Sequence, residues 1–169
     1  MKCRHCGSDV SHVLVDLGVA PPSNAYLTKM ALKRPEQYFP LRVLVCESCW
    51  LVQAEAYSRA AELFNEEYAY FSSFSTEWLE HSKRYVEEMT ARFGLGSSST
   101  VVEVAANDGY LLQFVKAMTI PCYGIEPTAS TANAARQKGI EIVQDFLSTS
   151  LAQELRKQGK TADLVVANN

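Results

Sequence analysis

The chain has 169 residues, 47% hydrophobic and 21% charged, with a formal net charge of -3. That balance describes a soluble globular chain with ample apolar material for a core; it argues against a nucleic-acid partner, because no basic stripe is present. No apolar run is long enough to span a bilayer and no secretory leader is recognisable, so no membrane partner is expected.

Two Cys-x-x-Cys hooks stand out first, Cys3/Cys6 and Cys46/Cys49. Four thiolates in two short hooks are the donor set of a tetrahedral zinc ion. A closed four-sulfur shell leaves no open position, so the metal is expected to brace a fold and not to perform chemistry. Gly7 lets the first hook turn tightly. A gap of about 40 residues, longer than the about 15–20 of a compact ribbon, leaves room for a small domain between the hooks. A redox pair would be single and beside a βαβ unit; here two pairs flank a segment without that pattern. His5 and His12 could each replace a sulfur, but four cysteines complete the shell and neither histidine is assigned. Cysteines spaced as metal ligands fit a reducing cytoplasm. The fifth, Cys122, reads as a small buried side chain.

Residues 1–53 therefore form a zinc-binding domain, with short strands at 13–15 and 41–45 and a rigid loop at Pro21-Pro22-Ser23-Asn24. Residues 54–96 form a helical connector, polar and aromatic at first, with a short helix near 60–64. Ser75 or Thr76 caps a longer helix with Glu77 in its first turn. Trp78, Leu79, Tyr85, Val86, Met89 and Phe93 recur along it at helical spacing, and Gly94 ends it. His81 reads as a surface residue of this helix.

From residue 97 the texture becomes strand, helix, strand, helix. Strands are expected at 101–105, 122–125, 140–143 and 164–167, and helices at 111–118, 128–138 and 151–157, with Gly139 closing the second helix. This alternation implies a parallel sheet with right-handed crossovers, an α/β Rossmann-like doubly wound domain. The sequence stops at Asn169, directly after a strand. It is expected to be a truncated piece of a longer enzyme, 97–169 being the N-terminal part of its cofactor domain.

Ligands of such sheets bind at the carboxyl ends of the strands. The first strand-to-helix turn, Glu103-Val104-Ala105-Ala106-Asn107-Asp108-Gly109, has one glycine and offers poor backbone access to a pyrophosphate. Glu103 at the strand end suits a cationic ligand better than a polyanion. Glu126 ends the next strand, where a carboxylate can accept hydrogen bonds from ribose hydroxyls. Asp145 and Phe146, after the third strand, offer a polar group and an aromatic face for an adenine ring.

Residues 102–112, then Gly124-Ile125-Glu126-Pro127, then Ala167-Asn168-Asn169, resemble the S-adenosylmethionine-binding region of class I methyltransferases. With Cys3-Arg4-His5-Cys6-Gly7, residues 46–53 and Tyr68-Ala69-Tyr70-Phe71-Ser72-Ser73, the chain resembles more closely the zinc-domain sugar C-methyltransferases that act on nucleotide-linked keto-deoxysugars. The resemblance implies that Glu103, Ala105, Asn107, Asp108 and Gly109 surround the methionine moiety. It implies further that Glu126 with Pro127 holds the ribose, that Asp145 and Phe146 flank the adenine, and that Asn168 sits near the sulfonium. Tyr70 corresponds to a family tyrosine near the active site, and Ser72 and Ser73 to residues that close over the cofactor. The family's acid/base groups, a histidine after the Asn-Asn pair and a Tyr-x-Glu-His cluster, would fall beyond Asn169, as would the domain that helps bind the nucleotide-sugar.

The expected function is thus S-adenosylmethionine-dependent C-methylation of a nucleotide-linked keto-deoxysugar through an enolate, with zinc as a structural ion. Two alternatives stand beside it. A nicotinamide-dependent oxidoreductase on the same fold is opposed by the glycine-poor turn, and a non-enzymatic zinc-ribbon interaction module by the acidic charge balance.

Overall fold

A computed structural model describes residues 1–64 and 68–168. Residues 65–67 of the connector and Asn169, the last residue of the resemblance, lie outside the described residues. The chain divides into two units, Met1–Leu63 and Phe64–Asn169.

The first unit is built on a three-stranded antiparallel sheet in the order β1-β2-β3, where β1 is His12–Ala20, β2 Phe39–Val45 and β3 Val52–Ala54. β3 is absent from the sequence reading because three residues are too few to display an alternating pattern. The strand exists because the second hook turns the chain back, so that Val45 faces Val52 across the ladder. A single helical turn, α1 (Ala60–Leu63), follows. The interior is small: Cys3, Val10, Leu44 and Cys46 are its buried apolar residues. A core this thin is what a structural metal supplements.

The second unit opens with α2 (Thr76–Phe93). Ser75 caps it by accepting the Trp78 backbone N–H at 3.2 Å, and Gly94 ends it in the left-handed conformation at φ 61°. Then β4 (Val101–Val104), α3 (Leu112–Ala117), β5 (Cys122–Ile125), α4 (Ala129–Gln137), β6 (Glu141–Val143), α5 (Thr149–Lys157) and β7 (Leu164–Ala167) alternate as expected. All four strands run parallel in the order β6-β5-β4-β7. Order reverses between β5 and β7 on either side of β4, which places the topological switch point at β4. Val86, Leu112, Val115, Ala132 and Ala135 cover one face of the sheet, and Leu155 packs with Val102, Tyr123 and Ile125 on the other. Burial on both faces explains the near-continuous apolar run of β4. Among the described residues no helix is long and apolar enough to cross a membrane.

Candidate functional site

The hooks of the first unit are two knuckles of one shape. In the first, Cys3 donates its backbone N–H to Ser8 O at 2.8 Å and Gly7 donates to Cys3 O at 3.0 Å; in the second, Cys46 donates to Leu51 O at 3.0 Å and Trp50 to Cys46 O at 2.7 Å. Each turn closes through a left-handed residue four places after its first cysteine, Gly7 at φ 75° and Trp50 at φ 63°. Glycine takes that conformation freely, whereas a side chain there costs about 1–2 kcal/mol.

Together the knuckles bring the four Sγ atoms within 4.8 Å of one another. Cys3–Cys49 and Cys6–Cys46 are each 3.6 Å apart. Four sulfurs at about 2.3 Å from a tetrahedral zinc ion would stand about 3.8 Å from each other, so the cage has the dimensions of the ion. The Cys3 thiol is lowered to about 5, foremost by the Cys6 backbone N–H, against burial and with help from the His5 N–H and the Gln53 amide. Gln53 Nε2 stands 3.4 Å from the Cys3 sulfur. Cys49 goes the other way, to about 12: the Leu51 N–H favours its thiolate, but burial and the three neighbouring sulfurs outweigh it. Four crowded sulfurs cannot all ionise unaided, and a divalent cation removes that conflict. The cluster fits zinc. Neither His5 nor His12 belongs to it.

The second unit holds a cavity of about 280 Å³ across the carboxyl ends of its sheet. In sheet order it is lined by Asp145 and Phe146 after β6, Glu126 after β5, Ala105 after β4 and Asn168 after β7. Three strand spacings make that row about 14 Å long. Its outer wall comes from Tyr68, Tyr70 and Ser72 of the segment before α2 and from Trp78 within it.

The turn after β4 has an unusual backbone. Ala105, Asn107 and Gly109 are all left-handed, at φ 55°, 50° and 74°. Only the last is a glycine, and it has a second reason to be one: a Cβ there would meet Ile140 Cδ1 at 2.4 Å and Ala135 Cβ at 3.3 Å. The loop's amides point inward. Ala106 N donates to Ile125 O at 3.2 Å, Gly109 N to Ala106 O at 2.9 Å, and Asn107 N to Glu126 Oε2 at 2.9 Å. Glu126 Oε1 accepts the Thr128 N–H, also at 2.9 Å. Two backbone donors therefore fix a buried carboxylate at the rim of the cavity, and a carboxylate has about four acceptor positions in all.

Beneath the loop, Glu103 is fully buried, and neither carboxyl oxygen has a hydrogen-bond partner of good geometry. Burial pushes its acid up to about 8; the nearby Tyr110 hydroxyl opposes this and the charges of Asp108 and Glu126 add to it. Tyr110 in turn is raised, first by burial and then by Glu103. Its hydroxyl accepts the Asn168 side-chain N–H at 3.2 Å.

Residues 3–64 match a methyltransferase family model described as "Putative zinc binding domain". Over 164 residues the chain is 27% identical to C-methyltransferase NovU of Streptomyces niveus, an alignment covering 97% of this chain and 39% of that protein. The chain thus spans about two fifths of the length of the curated relative it matches. The chain is similar to a zinc-binding domain family over its first third and to a C-methyltransferase over nearly its whole length.

The matched zinc segment contains all four cage cysteines and the whole of the first unit's sheet. Of the residues expected at the site, Tyr70 as the catalytic candidate and Ala105, Asn107, Glu126, Pro127, Asp145, Phe146 and Asn168 as cofactor ligands line this cavity. Glu103, Asp108 and Gly109 do not: Glu103 is sealed below the loop, Gly109 packs on Ala135 of α4 and on Ile140 just before β6, and Asp108 turns toward Lys138. Sequence reasoning passed over several lining residues, four of them aromatic. Phe64, Tyr68 and Trp78 lie in or next to the connector, where aromatic positions read as packing; Tyr110 follows the only glycine of the turn. Its signal was available, since a tyrosine directly after a ligand loop is a polar group on an otherwise apolar helix start.

Proposed function

We propose that this chain is the zinc-bearing, donor-binding portion of an S-adenosylmethionine-dependent C-methyltransferase whose acceptor is a nucleotide-linked keto-deoxysugar. The observation that carries the reading is the cavity: a row of side chains at four strand ends, with Glu126 held by two backbone amides at its centre. Phe146 and Asp145 would take the adenine, Glu126 the ribose hydroxyls, the Ala105–Asn107 stretch the methionine, and Asn168 with Tyr110 and Tyr70 the methyl-bearing end. The bound donor supplies an electrophilic methyl on sulfonium. C-methylation then needs an enolate formed next to the acceptor's carbonyl and held in line with that methyl, so positioning contributes much of the rate. Tyr70 stands on the cavity wall and its hydroxyl can donate to a developing enolate oxygen.

Inward-facing loop amides support this reading over a nicotinamide enzyme. A pyrophosphate needs free backbone N–H groups at the first turn, and those of Ala106, Asn107 and Gly109 are already engaged. Calorimetry on zinc-loaded protein decides between them. S-adenosylhomocysteine should bind with micromolar affinity while NAD gives no heat; binding of NAD alone would reverse the assignment.

A further inference from the structure

The segment that walls the cavity is tied to the ligand loop. Asn107 Oδ1 accepts the Ser72 N–H at 2.9 Å, and its Nδ2 donates to Tyr70 O at 3.1 Å. Asp108 Oδ1 accepts the Ser73 N–H at 3.3 Å. Lys138, just past the end of α4, completes the arrangement. Its Nζ donates to Asp108 O at 2.7 Å, to Asp108 Oδ2 at 3.1 Å and to Ser73 Oγ at 2.8 Å. An ammonium has three protons, and each of these has a partner. Lys138 is itself held, because Lys116 Nζ donates to Gly139 O at 2.6 Å and Lys138 O at 3.3 Å.

Two of the three contacts go to Asp108, whose carboxylate is buried, and one to the wall segment. One oxygen of the buried Asp108 carboxylate thus meets the Lys138 ammonium while the other grips the Ser73 N–H. We infer that Lys138 is a positioning residue: through Asp108 and Ser73 it staples residues 70–73 onto the ligand loop and so holds Tyr70 and Ser72 in the cavity wall. Asn107 and Asp108 accordingly serve the site with their side chains turned toward the wall, and Lys138 reaches no ligand. The functional consequence, tighter donor binding, rests on the donor reading above; the staple itself does not.

Amide-resolved hydrogen exchange on the full zinc-loaded chain tests it, since the Ser72 and Ser73 amides are themselves part of the staple. In Lys138→Met both should exchange at least about tenfold faster, while Gly124 and Ile125 in β5 keep their rates and Lys138→Arg restores protection. Calorimetry with S-adenosylhomocysteine should show affinity weakened about tenfold in Lys138→Met. Unchanged exchange at Ser72 and Ser73 overturns the staple. If Lys138→Met loosens β5 as well, Ser73→Ala decides. Faster exchange confined to residues 70–73 in that variant supports the staple, and no change refutes it. If the unaltered protein fails to bind S-adenosylhomocysteine, the donor reading falls, and the exchange comparison still judges the staple.

Discussion

Replacing Glu103 by glutamine should make the second unit more stable at neutral pH and remove most of a pH dependence. In the folded chain the acid titrates near 8, against an ordinary value of 4.5. Below pH 4.5 folded and unfolded forms both hold the proton. Between 4.5 and 8 the unfolded chain releases it while the folded chain keeps it, so stability falls as pH rises through that window. At pH 7 the gap from the ordinary value, at about 1.4 kcal/mol per pH unit, amounts to about 3 kcal/mol. Glutamine has nearly the same shape and no proton to release, so it should match the native chain near pH 4.5 and exceed it by about 3 kcal/mol at pH 7. Urea unfolding at pH 5, 7 and 8 would be followed by Trp78 fluorescence in a Trp50→Phe background, zinc present throughout. Parallel pH profiles for the two proteins, or a gap below about 1 kcal/mol at pH 7, would refute the buried-acid account.

Four further outcomes follow from the same geometry. Trp50→Gly should stabilise the zinc-loaded first unit by about 1 kcal/mol, because the exposed indole gives up little packing and the left-handed strain is relieved; a lower melting temperature would contradict it. Gly109→Ala should cost about 3 kcal/mol in urea, combining that backbone penalty with the clash against Ile140. Chelation of the metal, or Cys46→Ser, should unfold residues 1–63, seen as collapse of their amide dispersion in NMR spectra while the β4 and β5 resonances persist. Glu126→Ala should weaken S-adenosylhomocysteine binding by at least about 100-fold in calorimetry, since it removes both the proposed ribose acceptor and the group that orders the Asn107 and Thr128 amides.

Much of the fold was legible because its signals are local. Every helix and strand from Ser75 onward follows from apolar period, cap and glycine: Ser75 and Gly94 bound α2 as their chemistry requires, and Gly139 closes α4 at φ 73°. The zinc cage was legible for the same reason, its four ligands falling into two fixed spacings. What the sequence hid depends on distance in space. β3 is created by the second knuckle, and no pattern within three residues announces it. Part of the cavity wall was hidden too: Tyr70 and Ser72 were expected there, but nothing in Tyr68 or Trp78 distinguishes a cavity-facing ring from a packed one. Glu103 read as a ligand group because acidic residues at strand ends usually face the crevice, and Asp108 because the resemblance put it in the methionine loop; in the structure Glu103 is sealed within β4 and Asp108 meets Lys138.

The scarcity of glycine in the first turn acquires a physical meaning from these placements. A glycine-rich loop leaves its amides free for phosphate oxygens and accepts left-handed backbone without penalty. This loop keeps the left-handed path at Ala105 and Asn107 but engages its amides internally, one of them on Glu126. The loop thus combines left-handed backbone with amides unavailable to an anion, and the path itself serves two purposes. It brings the Asn107 amide to the carboxylate that would take the ribose, and it turns the Asn107 and Asp108 side chains outward to hold the Tyr70 segment. One turn thus shapes the floor of the cavity and anchors its wall, so a change at either side chain should be felt across the whole cleft. Asn107→Gly separates the two roles: it eases the backbone while cutting both wall contacts. Such a variant should lose protection at the Ser72 amide and melt at a lower temperature, because an unpartnered Ser72 N–H outweighs the small strain an asparagine carries in the left-handed region; unchanged protection at Ser72 would refute the wall contacts.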